Sequence, residues 1–156
     1  MNTMKFYVLL LLFFMVTILV RAQDERFTGT KNWAAMAKVT YKIVDDQFGE
    51  MSIPEFSKQV ESMAGEEIEL TGYLVPLDGL KGVFNPDHFI LSSLPLSACF
   101  FCGVGGPESV VEVYLEEPIE YTTEPITLKG KLRLNYNDPY QMIYIIDNAE
   151  FVGVVN

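Results

Sequence analysis

The chain has 156 residues, of which 21 are acidic and 11 basic, so its formal net charge is −10 at pH 7. Such a charge repels nucleic acid and anionic membrane surfaces, and it is compatible with metal cations or basic partner proteins. The length suits a single domain with one hydrophobic core.

The N-terminus has the pattern of a secretory signal peptide. Lys5 precedes an apolar run over residues 6–20, and a small residue, Ala22, follows Arg21. The run is shorter than the roughly 20 residues that span a bilayer, which favours cleavage after Ala22. The sequence therefore predicts a signal peptide over 1–22 and a periplasmic or secreted protein, membrane-tethered only if the signal stays uncleaved.

The mature chain begins with a polar stretch, residues 23–32, that is expected to form a flexible N-terminal arm. Cleavage would leave 9 basic and 21 acidic residues, because it removes Lys5 and Arg21 and no acid. Residues 33–156 are predicted to form one domain. Within 33–44, the run W-A-A-M-A favours a helical turn, and the alternation that follows it favours a strand.

A helix is predicted over residues 53–64. Ser52 and Glu55 have the spacing of a capping box, Pro54 suits the first turn, and Gly65 provides a stop. Apolar residues recur inside this segment at helical spacing: Phe56, Val60 and Met63.

The rest of the chain alternates between apolar segments and turn signals. Strands are predicted at 67–77, 88–94, 110–115, 126–135 and 142–147. Gly72 and Gly130 fall inside strands, where glycine often marks a bulge or the coil that closes a barrel. The pattern predicts a mainly β, α+β fold with one or two short helices, built as a five-stranded OB-like Greek-key barrel, with a small β-sandwich as the alternative.

The two cysteines stand together as Cys99-Phe100-Phe101-Cys102, followed by Gly103 and Pro107. A C-x-x-C pair can bind a metal, form a structural disulfide or exchange electrons, and its spacing does not distinguish these uses. The two phenylalanines are expected to divide, one packing into the core and the other lying at the surface.

For a metal site, the pair presents two thiolates to zinc, or to copper as Cu(I). The chain has one histidine, His88, which is the candidate third ligand. Asp87, Glu108, water or another protomer would have to supply a fourth. The alternative for His88 is an ordinary histidine at the end of a strand.

A disulfide between Cys99 and Cys102 would instead pin the loop, as in a structural or protein-interaction module. Thiol–disulfide exchange is less favoured, because the glycine-rich stretch after Cys102 is a poor helix and would not lower a thiol pKa as a helix N-terminus does. Motifs of triad hydrolases and zincins are missing, so no catalytic residue is predicted.

Several of these segments carry a family resemblance. The run L-T-G-Y-L-V-P-L at 70–77, the apolar strand at 89–91, the cysteine pair with Pro107 behind it, and V-E-V at 111–113 resemble a family of small exported bacterial proteins known only as a domain of unknown function. The resemblance implies a periplasmic location and an OB-like fold. It also implies Cys99 and Cys102 as the site, and no settled activity.

The sequence thus predicts a noncatalytic exported binding domain whose cysteine loop binds a metal ion, in metal handling or as an accessory to an envelope transporter. An envelope protein or transporter is the expected partner. Nucleic acid is not expected to bind, and the chain is not expected to insert into a membrane once the signal is cleaved. The alternative remains a structural or interaction module with an oxidised Cys99–Cys102 loop.

Overall fold

The computed structural model describes residues 30–46, 49–76, 84–98 and 100–155. The helices are α1 (Thr30–Met36) and α2 (Lys58–Glu61). The strands are β1 (Thr40–Asp46), β2 (Gly49–Glu55), β3 (Glu67–Val75), β4 (His88–Ser92), β5 (Val110–Leu115), β6 (Ile126–Leu134) and β7 (Tyr144–Val154). Short 3₁₀ turns lie at Leu96–Ala98, Phe100–Cys102 and Pro107–Ser109.

Strands β3 to β7 form a closed barrel in the order β3-β4-β5-β7-β6, with β6 paired back to β3. All neighbours are antiparallel except β5 and β7, which are parallel. The predicted mainly β fold with short helices and a five-stranded barrel is confirmed, and the order is consistent with an OB-like α+β fold rather than the alternative sandwich.

Two glycines mark the places where the barrel bends. Strand β3 pairs with β6 as far as Gly72 and with β4 from Tyr73 onward. A Cβ atom at Gly72 would collide with the backbone oxygen of Ser92 on β4. Gly130 lies where the register of β6 against β7 shifts, which is a bulge. At both positions glycine permits the bulge or close backbone approach that a curved strand needs.

The barrel interior is filled by alternate residues of its strands, and the two helices pack against that core. Trp33, Met36 and Val60 are buried there. Trp33 Nε1 donates to the carbonyl of Thr71 at 2.8 Å, and the hydroxyl of Tyr144 donates to the carbonyl of Met36 at 2.7 Å. Residues 30–32, which the sequence assigned to the N-terminal arm, belong to α1.

Strands β1 and β2 form a two-stranded hairpin beside the barrel. The expected strand after the first helical turn is therefore present. The predicted helix over 53–64 is wrong in its first part, because Ser52, Pro54 and Glu55 lie in β2, where Ser52 pairs with Ile43. The helix begins at Lys58 and is capped by another serine.

The barrel strands begin where the sequence predicts, apart from the last. Strands β3 and β4 end at Val75 and Ser92, two residues earlier than expected. Strand β7 runs to Val154, seven residues beyond the predicted end. The predicted signal peptide lies outside the described residues. Within the part of the chain that the structure describes, no helix is long and apolar enough to cross a membrane.

Candidate functional site

The candidate site lies on the outer face of the barrel, across β4 and β5. Phe89, Val111 and Val113 point into the core, so the alternating residues between them point outward. His88 lies opposite Tyr114, and Ile90 lies opposite Glu112. Neighbouring strands thereby place His88, Glu112 and Tyr114 side by side, although 24 residues separate the histidine from the glutamate.

Glu112 is the centre of this cluster. Its side chain is only 6% exposed. Oε1 lies 2.8 Å from His88 Nε2 and accepts the Tyr114 hydroxyl at 2.8 Å, while Oε2 accepts the backbone N–H of Met142 at 3.0 Å. A carboxylate is an acceptor, so it fixes the proton of His88 on Nε2 and leaves Nδ1 with a lone pair in the neutral ring.

The imidazole of His88 is held in place and remains accessible. It stacks on the ring of Tyr114, with centroids 4.2 Å apart and planes 15° from parallel. Its side chain is 30% exposed, and no described residue bonds to Nδ1. The ring is therefore held by Glu112 and Tyr114, and among the described residues Nδ1 is left for a ligand.

A polar network continues from Tyr114 to the β6–β7 loop. Gln141 Nε2 donates to the Tyr114 hydroxyl at 3.3 Å, and Arg133 Nη1 donates to Gln141 Oε1 at 3.2 Å. Arg133 also forms a two-point ion pair with Asp147, at 2.6 and 3.0 Å. Burial, and then the hydrogen bond to Glu112, raise the pKa of Tyr114, so its hydroxyl stays a donor at neutral pH.

The segment that carries the cysteines, residues 93–109, covers the same outer face and is called the cysteine segment below. Its ends are joined because Ser109 O accepts from the backbone N–H of Ser93 at 2.9 Å and from its hydroxyl at 3.1 Å. Phe100 packs against a second small core outside the barrel, whose members are Val75, Ile90 and Val110, with Met142 beside them.

The remaining flanking residues shape the surface of the cysteine segment. Phe101 is 52% exposed, and its ring meets that of Phe100 edge-on at 5.2 Å. Gly103 has φ +78° and donates its N–H to Phe100 O at 2.9 Å, which closes a turn that favours glycine. Pro107 begins the last 3₁₀ turn before β5.

Cys99 itself lies outside the described residues, as does the side chain of Cys102. Within the described part of the chain, no group of three or more His, Cys, Asp or Glu side chains could hold a metal ion. The two suggested fourth ligands are placed apart from each other. Asp87 is exposed just before β4. Glu108 lies near Tyr41. Burial, and then the negative charge of Glu108, raises the pKa of Tyr41 to about 12.

Glu112 is the residue that the sequence interpretation missed. It is the one acid in the apolar strand V-V-E-V-Y-L of β5. A charged residue in such a strand needs partners if it is buried. That signal was present, but apart from Tyr114 its partners come from β4 and from the β6–β7 loop, which only the fold brings to β5.

No family model matches the chain, and no curated protein matches it. Among solved structures, it is similar to a DUF3299 family protein from Pseudomonas aeruginosa PAO1, at 17% identity and a TM-score of 0.45. The match covers 66% of this chain and 70% of that one. The neighbour's family name assigns no activity, and a likeness of this degree assigns none to this chain.

Proposed function

We propose that this protein is a noncatalytic binding domain that takes a zinc or copper ion through Cys99, Cys102 and His88. In this proposal it handles metal outside the cytoplasm, as a carrier or as an accessory to an envelope transporter. Two thiolates and an imidazole suit Zn²⁺, and the thiolates alone suit Cu(I).

The observation that supports the proposal most is the pairing of His88 with Glu112. A metal-binding histidine commonly donates its other ring N–H to a carboxylate, which fixes the tautomer and makes the free nitrogen more basic. Glu112 is buried and accepts from Nε2, which leaves Nδ1 for an ion.

The position of Phe100 also supports it. This residue stands between the two cysteines in the sequence and packs against the small core of Val75, Ile90 and Val110. Ile90 and His88 are two residues apart on one strand, so their side chains share the outer face and their Cα atoms are roughly 7 Å apart. Packing of the cysteine segment on the outer face that carries His88 supports a shared site, and the excess of acidic residues favours the approach of cations.

A second candidate is an oxidised Cys99–Cys102 loop in a structural or interaction module. The joined ends of the cysteine segment and the packing of Phe100 favour it, because a segment fixed in this way can hold its shape without an ion. A redox role, the least favoured use, would require reversible exchange with a dithiol buffer.

Native mass spectrometry of the exported, signal-cleaved protein, with a count of free thiols, tests the proposal. We expect one zinc or copper ion per chain, lost in Cys99→Ser and in Cys102→Ser. Ser97→Ala, in the same segment but outside the pair, should keep the ion. Glu112→Gln should weaken metal affinity by about 10- to 100-fold. A metal-free chain lighter by two hydrogens and without free thiols would overturn the proposal in favour of the oxidised loop.

A further inference from the structure

A groove lies between the β1–β2 hairpin and the β6–β7 loop, whose Gln141 also donates to the Tyr114 hydroxyl. Its first part, of about 260 Å³, is walled on the hairpin side by four successive residues, Met51, Ser52, Ile53 and Pro54. The opposite wall comes from residues 135–143. Because successive residues of a strand point to opposite faces, all four can line one groove only if the groove runs along the edge of β2.

A second and wider part continues the groove around Pro54 and Tyr136, which line both parts. It has a volume of about 630 Å³ and contains the carboxylates of Glu55 and Glu61, with Lys38 as the cation in its lining. The two parts together border β2 from Met51 to Glu55.

The edge of β2 that borders this groove has no strand beside it in the described residues, where β2 pairs with β1 alone. A free strand edge offers backbone N–H and C=O groups to another extended chain. A hairpin of two strands is also marginally stable by itself. In β1 no described side chain is buried, and in β2 only Pro54 is, so an added strand would stabilise the hairpin.

The charge around the groove indicates what kind of chain fits. Glu55 and Glu61 line the wide part, Asp138 lines the narrow part, and Glu50 precedes the four wall residues. The described residues give none of these four carboxylates an ion-pair partner. The apolar contacts come from Met51, Ile53, Pro139 and Ile143.

We infer that this groove binds an extended segment of a partner protein, with alternating basic and apolar residues, which adds to β2 as a third strand. On the added strand the apolar side chains lie on the face of Met51 and Ile53, and the basic ones lie on the opposite face, which carries Glu50. A second copy of this chain is a poorer occupant, because two acidic molecules repel each other. The inference is independent of the metal proposal.

The probe is a fluorescent octapeptide that alternates lysine and valine, and its comparison is the same peptide with glutamate in place of lysine. We expect the lysine peptide to bind about tenfold more tightly, with affinity that falls as salt rises. Amide shifts in the NMR spectrum should map to residues 51–53 and to the non-proline residues of 136–141. Methylation of alternate peptide nitrogens on the lysine peptide should abolish binding, since it removes strand hydrogen bonds.

Matched variants locate the site. Ile53→Arg places a cation on the groove wall and should abolish binding of the lysine peptide. Ile43→Arg makes the same change on the opposite face of the hairpin, at a side chain that is 68% exposed, and should leave binding intact. Equal effects of the two variants, equal binding of the two peptides, or shifts that map elsewhere would overturn the inference. Self-association that Ile53→Arg abolishes would assign the groove to a second copy, and so would also overturn it.

Discussion

At the scale of single residues, Gly72 is a position where the barrel has no room for a side chain. It stands where β3 passes from β6 to β4, and the backbone of β4 approaches it so closely that no Cβ atom fits. The contact is with backbone, the carbonyl of Ser92, which cannot move without disturbing the β4 ladder. The side chain of Leu91 is the next obstacle, at 3.0 Å.

We expect Gly72→Ala to lower the free energy of unfolding by about 1–3 kcal/mol, the usual cost of overpacking. Gly153→Ala is the matched control, since a Cβ there meets nothing within 4 Å and the backbone is ordinary. Its effect should stay within about 0.5 kcal/mol. Urea unfolding followed by circular dichroism measures both, and equal stability of the two variants would contradict the close approach at Gly72.

The sequence anticipated the two barrel glycines and named His88, but it did not identify Glu112 as the partner of His88. A glycine inside an alternating strand is a local signal. The contact between His88 and Glu112 depends on the register of β4 against β5, which one sequence does not encode in any short pattern. The part that Cys99 and Cys102 play stays a prediction.

At the scale of elements, helix α2 shows that only one of two serines placed before it in the chain caps the helix. Both Ser52 and Ser57 are followed by candidate helical residues. Only Ser57 acts as the cap: its Oγ accepts from Val60 N at 3.4 Å, and Val60 is buried against the barrel core. Ser52 is exposed in the middle of β2.

We expect Ser57→Ala to destabilise the protein by about 1 kcal/mol, the typical cost of a lost cap. Ser52→Ala should change stability by less than about 0.5 kcal/mol, because it removes no cap. Thermal unfolding of the two variants against the parent protein distinguishes them. A larger loss of stability for Ser52→Ala than for Ser57→Ala would support the predicted helix over 53–64 and contradict the assignment of Ser52 to β2.

The helix was predicted too early because two periodicities overlap between residues 51 and 63. Phe56, Val60 and Met63 do have helical spacing, but Met51 and Ile53 alternate with polar Ser52, as in a strand. Pairing with β1 decides between them, and such tertiary pairing overrides local propensity. Strand β7 was predicted too short for a related reason: Asn148, at φ +49°, and two shifts of register interrupt its alternation.

At the scale of the whole molecule, the dominant electrostatic feature is self-repulsion. Acidic residues exceed basic ones by 10. Among the described residues, the pairs Lys129 with Glu67 and Arg133 with Asp147 are substantially exposed, and exposed pairs of this kind stabilise a fold little. Salt screens this net repulsion as well as the two exposed contacts, and we expect the relief of repulsion to be the larger effect.

We therefore expect the midpoint of thermal unfolding to rise by a few degrees when NaCl increases from about 0.01 M to about 0.15 M, which shortens the Debye length from about 30 Å to about 8 Å. The measurement is made with a chelator present, so that bound metal does not contribute. A midpoint that falls with salt would mean that specific ion pairs outweigh the net charge.

The pair Glu116 and Glu117 provides the matching variant, because both are exposed just after β5. The double substitution Glu116→Gln with Glu117→Gln should raise the midpoint at low salt and make it less sensitive to added salt. Both effects follow from a smaller net charge, whereas loss of a specific contact would lower the midpoint at every salt concentration. An unchanged salt dependence would show that the repulsion arises in another part of the surface. The carboxylates of Glu50, Glu55 and Asp138 around the β2 groove would then be the next to replace.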